Sequence, residues 1–475
     1  MIPRPLGDLV AAAASLGGLD GARVVGDPGS TVAEVTNDTE AVAAGWVYCC
    51  IVGARHDGHD LAGRAVARGA RALLVERELD VPVAQVIVRD ARRAMGAIAA
   101  EVHGRPSERM TVVGVTGTNG KTTTTGMVAA ILGADGRTTG TIGTLTGART
   151  TPESCDLQRR LAAMRDTGCT AVAMEVSSHA LAVGRVAGMR FAASVFTNLG
   201  GDHLDFHGTE DAYFAAKASL FSRGLSVHGV VNADDPRGRE ILATAAIPCT
   251  AVHRSEAADV RVGLRSHSYT WRGRRIDVGI GGGYNVMNSL CAAAAASVVG
   301  VDEGAVVRGL AGFGGVRGRY EVVETQGATA IVDYAHDAEA LARLLESVRD
   351  AMGGSGSLVV VFGCGGDRDR AKRPVMGAVA AKLADAVVVT SDNPRSEDPA
   401  AIAREILSGV GEGSRADIAV ELDRREAIRA ALAASGRGDV VVVAGKGHEA
   451  VQDGGGRTVP FDDASVVREL AGGDA

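Results

Sequence analysis

Short runs of Val, Ile and Ala recur along the 475-residue chain, each closing in glycine or polar residues before a helix-forming stretch. They include Met110–Gly117, Thr170–Val176, Ala193–Leu199, His228–Asp235, Thr329–His336, Ser357–Asp367, Ala384–Arg395 and Asp439–Glu449. The runs are apolar throughout instead of alternating, which marks strands buried on both faces, and so parallel sheets covered by helices. An α/β fold follows. A polar cluster lies directly after nearly every run, on the carboxyl edge where open α/β sheets bind ligands. The length suggests about three units. The first, 1–108, ends near Pro106. The second, 109–321, is a central ATPase-like domain with a glycine-rich phosphate loop and a mostly parallel sheet. Beyond a glycine-rich hinge, Gly312–Gly318, the third, 322–475, has its own Rossmann-like alternation of strands and helices.

Composition excludes several function classes. Hydrophobic residues at 46% and charged residues at 23% describe a globular chain, not a disordered one. A formal charge of −7 argues against nucleic-acid binding, although Gly365–Pro374 (GGDRDRAKRP) is locally basic. No uncharged stretch approaches the ~20 residues that span a bilayer. Asp8 interrupts the N-terminal apolar run and no basic region precedes it, so the start reads as an amphipathic helix before a signal peptide. The seven cysteines are scattered without a C-x-x-C pair, as free thiols in a reducing cytoplasm would be.

Gly114–Thr125 (GVTGTNGKTTTT) follows a buried strand and opens a helix, the context in which a glycine-rich loop cradles phosphates. Gly117 and Gly120 permit tight backbone turns, and Thr118 and Asn119 between them add N–H groups aimed at phosphate oxygens. Lys121 supplies charge to the terminal phosphates. Thr122 offers a hydroxyl for Mg²⁺, followed by Thr123 at a helix N-terminus that favours anions. Val115 occupies the first glycine of the generic spacing, so a plain glycine turn with a solvated lysine is the alternative.

Together with Met174–Leu181 (MEVSSHAL), Phe196–Gly208 (FTNLGGDHLDFHG), Tyr213–Phe221 (YFAAKASLF) and Asn232–Pro236 (NADDP), this loop resembles the Mur ligases of peptidoglycan synthesis. The order and spacing hold from about Asp38 to Glu449. Thr150–Gln158, Ser177–Arg185, Phe362–Pro374, Ser391–Pro399 and Ala444–Glu449 place the likeness with members that add meso-diaminopimelate to UDP-N-acetylmuramoyl-L-alanyl-D-glutamate. The resemblance implies a cytoplasmic ATP- and Mg²⁺-dependent amide ligase working through an acyl phosphate, monomeric, with small-molecule substrates, no nucleic acid and no membrane insertion.

It also implies roles. Lys121, Glu175, His203 and Lys217 would be catalytic. Thr122, Glu175, His203 and Lys217 would hold Mg²⁺, Lys217 as its carbamate (N6-carboxylysine). Asn285, Asn288, Arg319, Asp333 and His336 would join the loop on ATP, the asparagines reading equally as a helix-start motif. Thr39, Thr150, Thr151, Ser177 and Arg185 would take the UDP-muramoyl-dipeptide. Arg368, Asp392, Asn393, Pro394, Arg395, Gly445 and Glu449 would take diaminopimelate, whose distal carboxylate suits an arginine fork.

The chain departs from the family pattern at Asn37–Glu40 (NDTE for a D-S-R motif), at Gly200–Gly201 (for Ser-Arg before Asp-His) and at Asp337–Ala338 (for Thr-Pro). These changes leave room for a paralogue with a related acceptor, or for a ligase of the folylpolyglutamate or cyanophycin-synthetase kind. A non-catalytic nucleotide-binding scaffold is the alternative of another class.

Overall fold

The computed structural model describes residues 3–53 and 56–472. Its frame is three sheets in chain order. The first has strands in the order Arg23–Val25, Ala84–Ile87, Ala72–Val75, Trp46–Cys49, Glu34–Thr36, parallel except for the Arg23–Val25 edge. Side chains alternate across it. Val47, Cys49, Leu74 and Val86 pack with the helix Ala91–Val102, while Tyr48, Leu73 and Val75 face the helix Ala62–Ala67. Burial on both faces explains why these strands read as unbroken apolar runs.

The central sheet has six parallel strands in the order Cys249–Val252, Ser226–Asn232, Phe191–Phe196, Thr111–Thr116, Ala171–Glu175, Thr139–Ile142. From the strand Thr111–Thr116 the chain first builds one side of the sheet and then crosses to the other. Strand order therefore reverses beside Thr116, and a crevice opens at that carboxyl edge. Val113 and Val115 pack under the helices Lys121–Ala134 and Tyr284–Val298. Val112, Met174 and Phe191 bury the opposite face against Leu157 and Leu161.

A three-stranded antiparallel sheet, Ala258–Val262, His267–Trp271 and Arg274–Val278, was not anticipated from the sequence. Its last strand turns Arg274, Arg275 and Asp277 outward and Ile276 and Val278 inward, so it carries no continuous apolar run.

The third sheet runs Glu321–Glu324, Thr329–Asp333, Val440–Ala444, Leu358–Phe362, Ala386–Val389, Asp417–Val420, with Glu321–Glu324 antiparallel at one edge. Ile331, Val360 and Val442 face the helices Ala338–Met352 and Lys372–Leu383. Val332, Val361 and Val443 face Arg424–Ala433 and Asp463–Leu470. The fold is α/β throughout, with its mostly parallel sheets covered on both sides. All seven cysteines are free thiols, five of them buried.

Candidate active site

The loop after Thr116 turns on two glycines. Gly117 has φ 149° and Gly120 φ 83°. A Cβ on Gly117 would lie 1.9 Å from Thr197 Oγ1, and one on Gly120 2.5 Å from Asn288 Oδ1, so neither position accepts a side chain. Thr118 Oγ1 lies 3.0 Å from the Tyr213 hydroxyl, and Asn119 N donates to Asn198 Oδ1 at 2.9 Å. The loop is thus pinned from the neighbouring strand exits.

Two lysines converge on one carbonyl. Lys121 Nζ donates to the oxygens of Gly117 (2.8 Å) and Thr118 (2.7 Å), and Lys217 Nζ donates to Gly117 O at 2.8 Å. Lys217 is 1% exposed and sits 4.4 Å from the centre of the Tyr213 ring. Burial pushes its pKa far below the ordinary lysine range, and the Lys121 charge pushes it further. Burial also lowers Lys121.

Beside them, Thr122 Oγ1 donates to Glu175 Oε2 at 2.9 Å, and Thr144 N donates to Glu175 Oε1 at 2.8 Å. Burial keeps the His203 imidazole below its usual pKa, with Asp202 opposing and both lysines assisting. Thr122, Glu175, His203 and Lys217 all line one cavity of about 660 Å³. An oxygen pair and a neutral imidazole fit a hard divalent ion, whereas Lys217 fits only after its amine is converted to an anion.

Across the cavity stand Arg319, Asp333 and His336 from the border and first parallel strand of the third sheet, and Asn285 and Asn288 from the helix Tyr284–Val298. Asn285 Nδ2 donates to Gly281 O at 2.7 Å and Asn288 Nδ2 to Asn285 Oδ1 at 2.9 Å. They therefore start a helix and wall the cavity at once. Asp333 accepts from Tyr320 N (2.7 Å) and Ala335 N (2.8 Å), while burial raises its pKa.

Thr150 lines the cavity, its hydroxyl 3.0 Å from that of Thr144. Thr151 Oγ1 donates to Glu175 O (3.0 Å) and accepts from Ser177 N (3.1 Å). Arg185 Nε donates to Glu153 Oε1 at 3.0 Å and Nη1 to Thr151 O at 3.4 Å. Thr150, Thr151, Ser177 and Arg185 are contiguous. Thr39 is not with them: it is buried in the first unit and is not part of the cavity wall. In its loop, Glu40 pairs with Arg64 and Arg68.

The remaining group gathers at the carboxyl edge of the third sheet. Arg395, in the left-handed region at φ 52°, donates from Nη1 to Gly366 O at 2.5 Å. Arg368 is exposed nearby, its Cγ 3.6 Å from where a Cβ on Gly365 would lie, with Arg395 Nη1 at 3.0 Å from the same point. Pro394 is buried beside Asn393, which donates from Nδ2 to Glu449 Oε2 at 2.6 Å. A Cβ on Gly445 would meet Asp392 Oδ2 at 2.7 Å. Sequence reasoning passed over Lys446, which is fully buried and donates to Asn393 Oδ1 (3.2 Å), Glu449 Oε2 (3.3 Å) and Val451 O (2.6 Å). Glu449 is thus already paired. None of this group is among the residues lining the cavity. Tyr334 does line it, and its ring lies 4.6 Å from that of His336, 4.9 Å from that of His448, and under the Arg319 guanidinium at 4.3 Å.

Comparison with known proteins agrees with this layout. Residues 31–110 match the profile described as Mur ligase family, catalytic domain; 115–296 match Mur ligase middle domain; 318–447 match Mur ligase, glutamate ligase domain. The UDP-N-acetylmuramoyl-L-alanyl-D-glutamate–2,6-diaminopimelate ligase of Syntrophomonas wolfei is 41% identical over 93% of this chain and 95% of its own length. That of Geobacillus kaustophilus is 43% identical over 91% and 93%. A solved structure of a ligase of that name superposes with TM-score 0.69 at 32% identity, covering 94% of this chain and 96% of the other.

Proposed function

The chain belongs to the Mur ligase family, and on that premise we propose that it joins meso-diaminopimelate to the γ-carboxylate of the D-glutamate in UDP-N-acetylmuramoyl-L-alanyl-D-glutamate, at the expense of ATP. The observation that carries this reading is the meeting of Lys121, Lys217, Thr122 and Glu175 at one sheet edge, with Arg319, Asp333 and His336 closing the same cavity from the third sheet.

The γ-phosphoryl group of ATP passes to a γ-carboxylate oxygen of the acceptor and ADP leaves. Lys121 and the N–H groups of residues 117–123 hold the phosphates and neutralise charge as it spreads over the transferred group. Thr122, Glu175 and His203 would hold Mg²⁺, with Lys217 joining as a carbamate. The ion supplies charge neutralisation at the phosphoryl oxygens. The depressed pKa of Lys217 keeps its amine free to add carbon dioxide, releasing one proton. The amine of diaminopimelate then attacks the acyl carbon, phosphate leaves with its bonding pair, and the amine loses a proton. Thr150, Thr151, Ser177 and Arg185 position the dipeptide. Thr39 and its neighbours would receive the nucleotide end. Arg368, Asp392, Asn393, Pro394, Arg395, Gly445 and Glu449 form the amino-acid pocket.

We place the three units at 1–108, 109–321 and 322–475, a division supported by the strands of the three main sheets, of which only Glu321–Glu324 of the third oversteps a border, by one residue. No helix among the described residues is long and apolar enough to cross a membrane, and the nucleotide-linked substrates point to the cytoplasm.

Mass spectrometry of products from ATP, the muramoyl-dipeptide nucleotide and equal diaminopimelate and lysine tests the reading. The diaminopimelate tripeptide nucleotide with matched phosphate release is expected. Exclusive lysine product, or phosphate release only with another carboxylate acceptor, would overturn it.

A further inference from the structure

Where the third sheet meets the central one, ligand atoms gather that the chemistry above assigns to no metal. Asp202, at the end of the loop leaving the strand Phe191–Phe196, lies near His336 and Asp337, which follow the strand Thr329–Asp333. Each offers one ligand atom, and the three atoms lie within 4.8 Å of one another. The seam is tight: a Cβ on Gly200 would sit 2.1 Å from Glu339 Oε2, in the first turn of the helix Ala338–Met352. Gly200–Gly201 and Asp337–Ala338, two of the places where this chain departs from the family pattern, meet here.

The side chains are prepared for a cation. His336 Nδ1 donates to the Tyr334 carbonyl oxygen at 3.0 Å, which orients the ring and leaves Nε2 as the atom a metal would meet. Asp337 is 8% exposed. Its Oδ1 caps the following helix by accepting from Ala340 N at 2.8 Å, while Oδ2 is buried without a hydrogen-bond partner. A buried carboxylate oxygen left unpaired is destabilising, and a bound cation removes that cost. Asp202 accepts from His203 N at 2.8 Å and adds a second negative charge. Metal–ligand bonds of about 2.1 Å set ligand atoms roughly 3 to 4.2 Å apart, a spacing these three reach with small side-chain movements. Two carboxylates with one imidazole favour Mn²⁺ or Zn²⁺ over Mg²⁺ or Ca²⁺.

We propose that Asp202, His336 and Asp337 form a divalent transition-metal site that pins the third unit to the central one, separate from the magnesium set at Thr122 and Glu175. Asp202 and His336 line the cavity while Asp337 lies outside its wall; all three ligands come from the protein, so the site binds its ion without nucleotide and is independent of which amino acid the enzyme ligates. His336 then meets the phosphates from the ion's shell. Binding that requires both units favours their closed arrangement by linkage.

Titration of the nucleotide-free full-length protein with Mn²⁺, followed by the electron paramagnetic resonance signal of the free ion, tests this. One Mn²⁺ per chain is expected. Asp337→Asn keeps the helix cap and is expected to weaken binding about a hundredfold. Asp202→Asn, across the seam, should do the same, and Glu175→Gln should leave binding unchanged. Absent binding, equal affinity in Asp337→Asn, or loss in Glu175→Gln overturns the site. Loss in Asp337→Asn with full affinity in Asp202→Asn overturns the bridge between units.

Discussion

At the central edge, Lys121 and Lys217 both give their hydrogen bonds to backbone carbonyls, and among the described residues neither is ion-paired with a carboxylate. At the third edge, several cations are paired with anions within the protein, while Arg368 and Arg395 make no ion pair among the described residues. Lys446 meets Glu449, Arg373 meets Glu397 and Glu405, and Arg424 meets Asp463 with both side chains fully buried. The first edge carries positive charge with no carboxylate to offset it, as binding of phosphate oxygens requires. The second surrounds its open arginines with pairs already closed, so it offers set shape and hydrogen bonds around a single kind of open charge. Charge left open on both lysines suits a reaction in which charge moves; arginines held among closed pairs suit recognition.

The largest effect expected from this contrast is on selectivity. If the third edge recognises by pre-set geometry, Arg395→Ala should erase a preference for diaminopimelate over lysine of about four orders of magnitude, because rejection comes from leaving a polar group unpaired. Ratios of kcat/KM for the two amino acids measure it, and an unchanged ratio breaks the assignment of the pocket. Next comes turnover. Lys217→Met should lower kcat about a thousandfold, and acetate, replacing the lost carboxylate, should restore part of it; full activity without bicarbonate would exclude the carbamate.

The two lysines also differ in the sign of their stability effect. Lys446→Met strips Glu449 and Asn393 of a shared donor and should cost about 2 kcal/mol in urea unfolding, less than a fully buried pair because Glu449 is partly exposed. Lys217→Met removes a buried amine that has a carbonyl but no carboxylate partner among the described residues, and leaves Gly117 O still bonded to Lys121, so it should stabilise the fold by about 1 kcal/mol. Equal signs would refute the contrast.

Much of this was legible in the sequence because parallel strands buried on both faces leave unbroken Val-rich runs, and each run pointed to its own polar exit. The loop around Lys121 declared itself by glycine spacing. The sheet around Tyr269 and Ile276 did not, since its outward Arg274, Arg275 and Asp277 break the apolar run. Lys446 lay inside a motif already noted, but nothing in a row of letters says that this lysine, and not its neighbour Glu449, is fully buried. Asp337 read only as a substitution. Its meaning depends on Asp202, 135 residues earlier in the chain (337 − 202), and only tertiary packing joins the two.

The smallest effect tests the central edge alone. Lys217 has a folded pKa below the ordinary lysine value, so between the two the unfolded chain binds a proton that the folded chain does not. Stability therefore rises with pH through that window, levels off above the ordinary value near 10.4, and falls as pH drops toward the folded pKa. One such group contributes at most about 1.4 kcal/mol per pH unit. Urea unfolding at pH 7, 8 and 9 in buffer stripped of carbon dioxide should show this slope in the wild type and lose that much of it in Lys217→Met. Added bicarbonate should raise wild-type stability without removing the slope, because the folded lysine, as amine or as carbamate, carries no proton that the unfolded chain takes up, and it should leave Lys217→Met unchanged. A slope that is undiminished in Lys217→Met would place the open charge on some other group and leave Lys217 as a structural lysine.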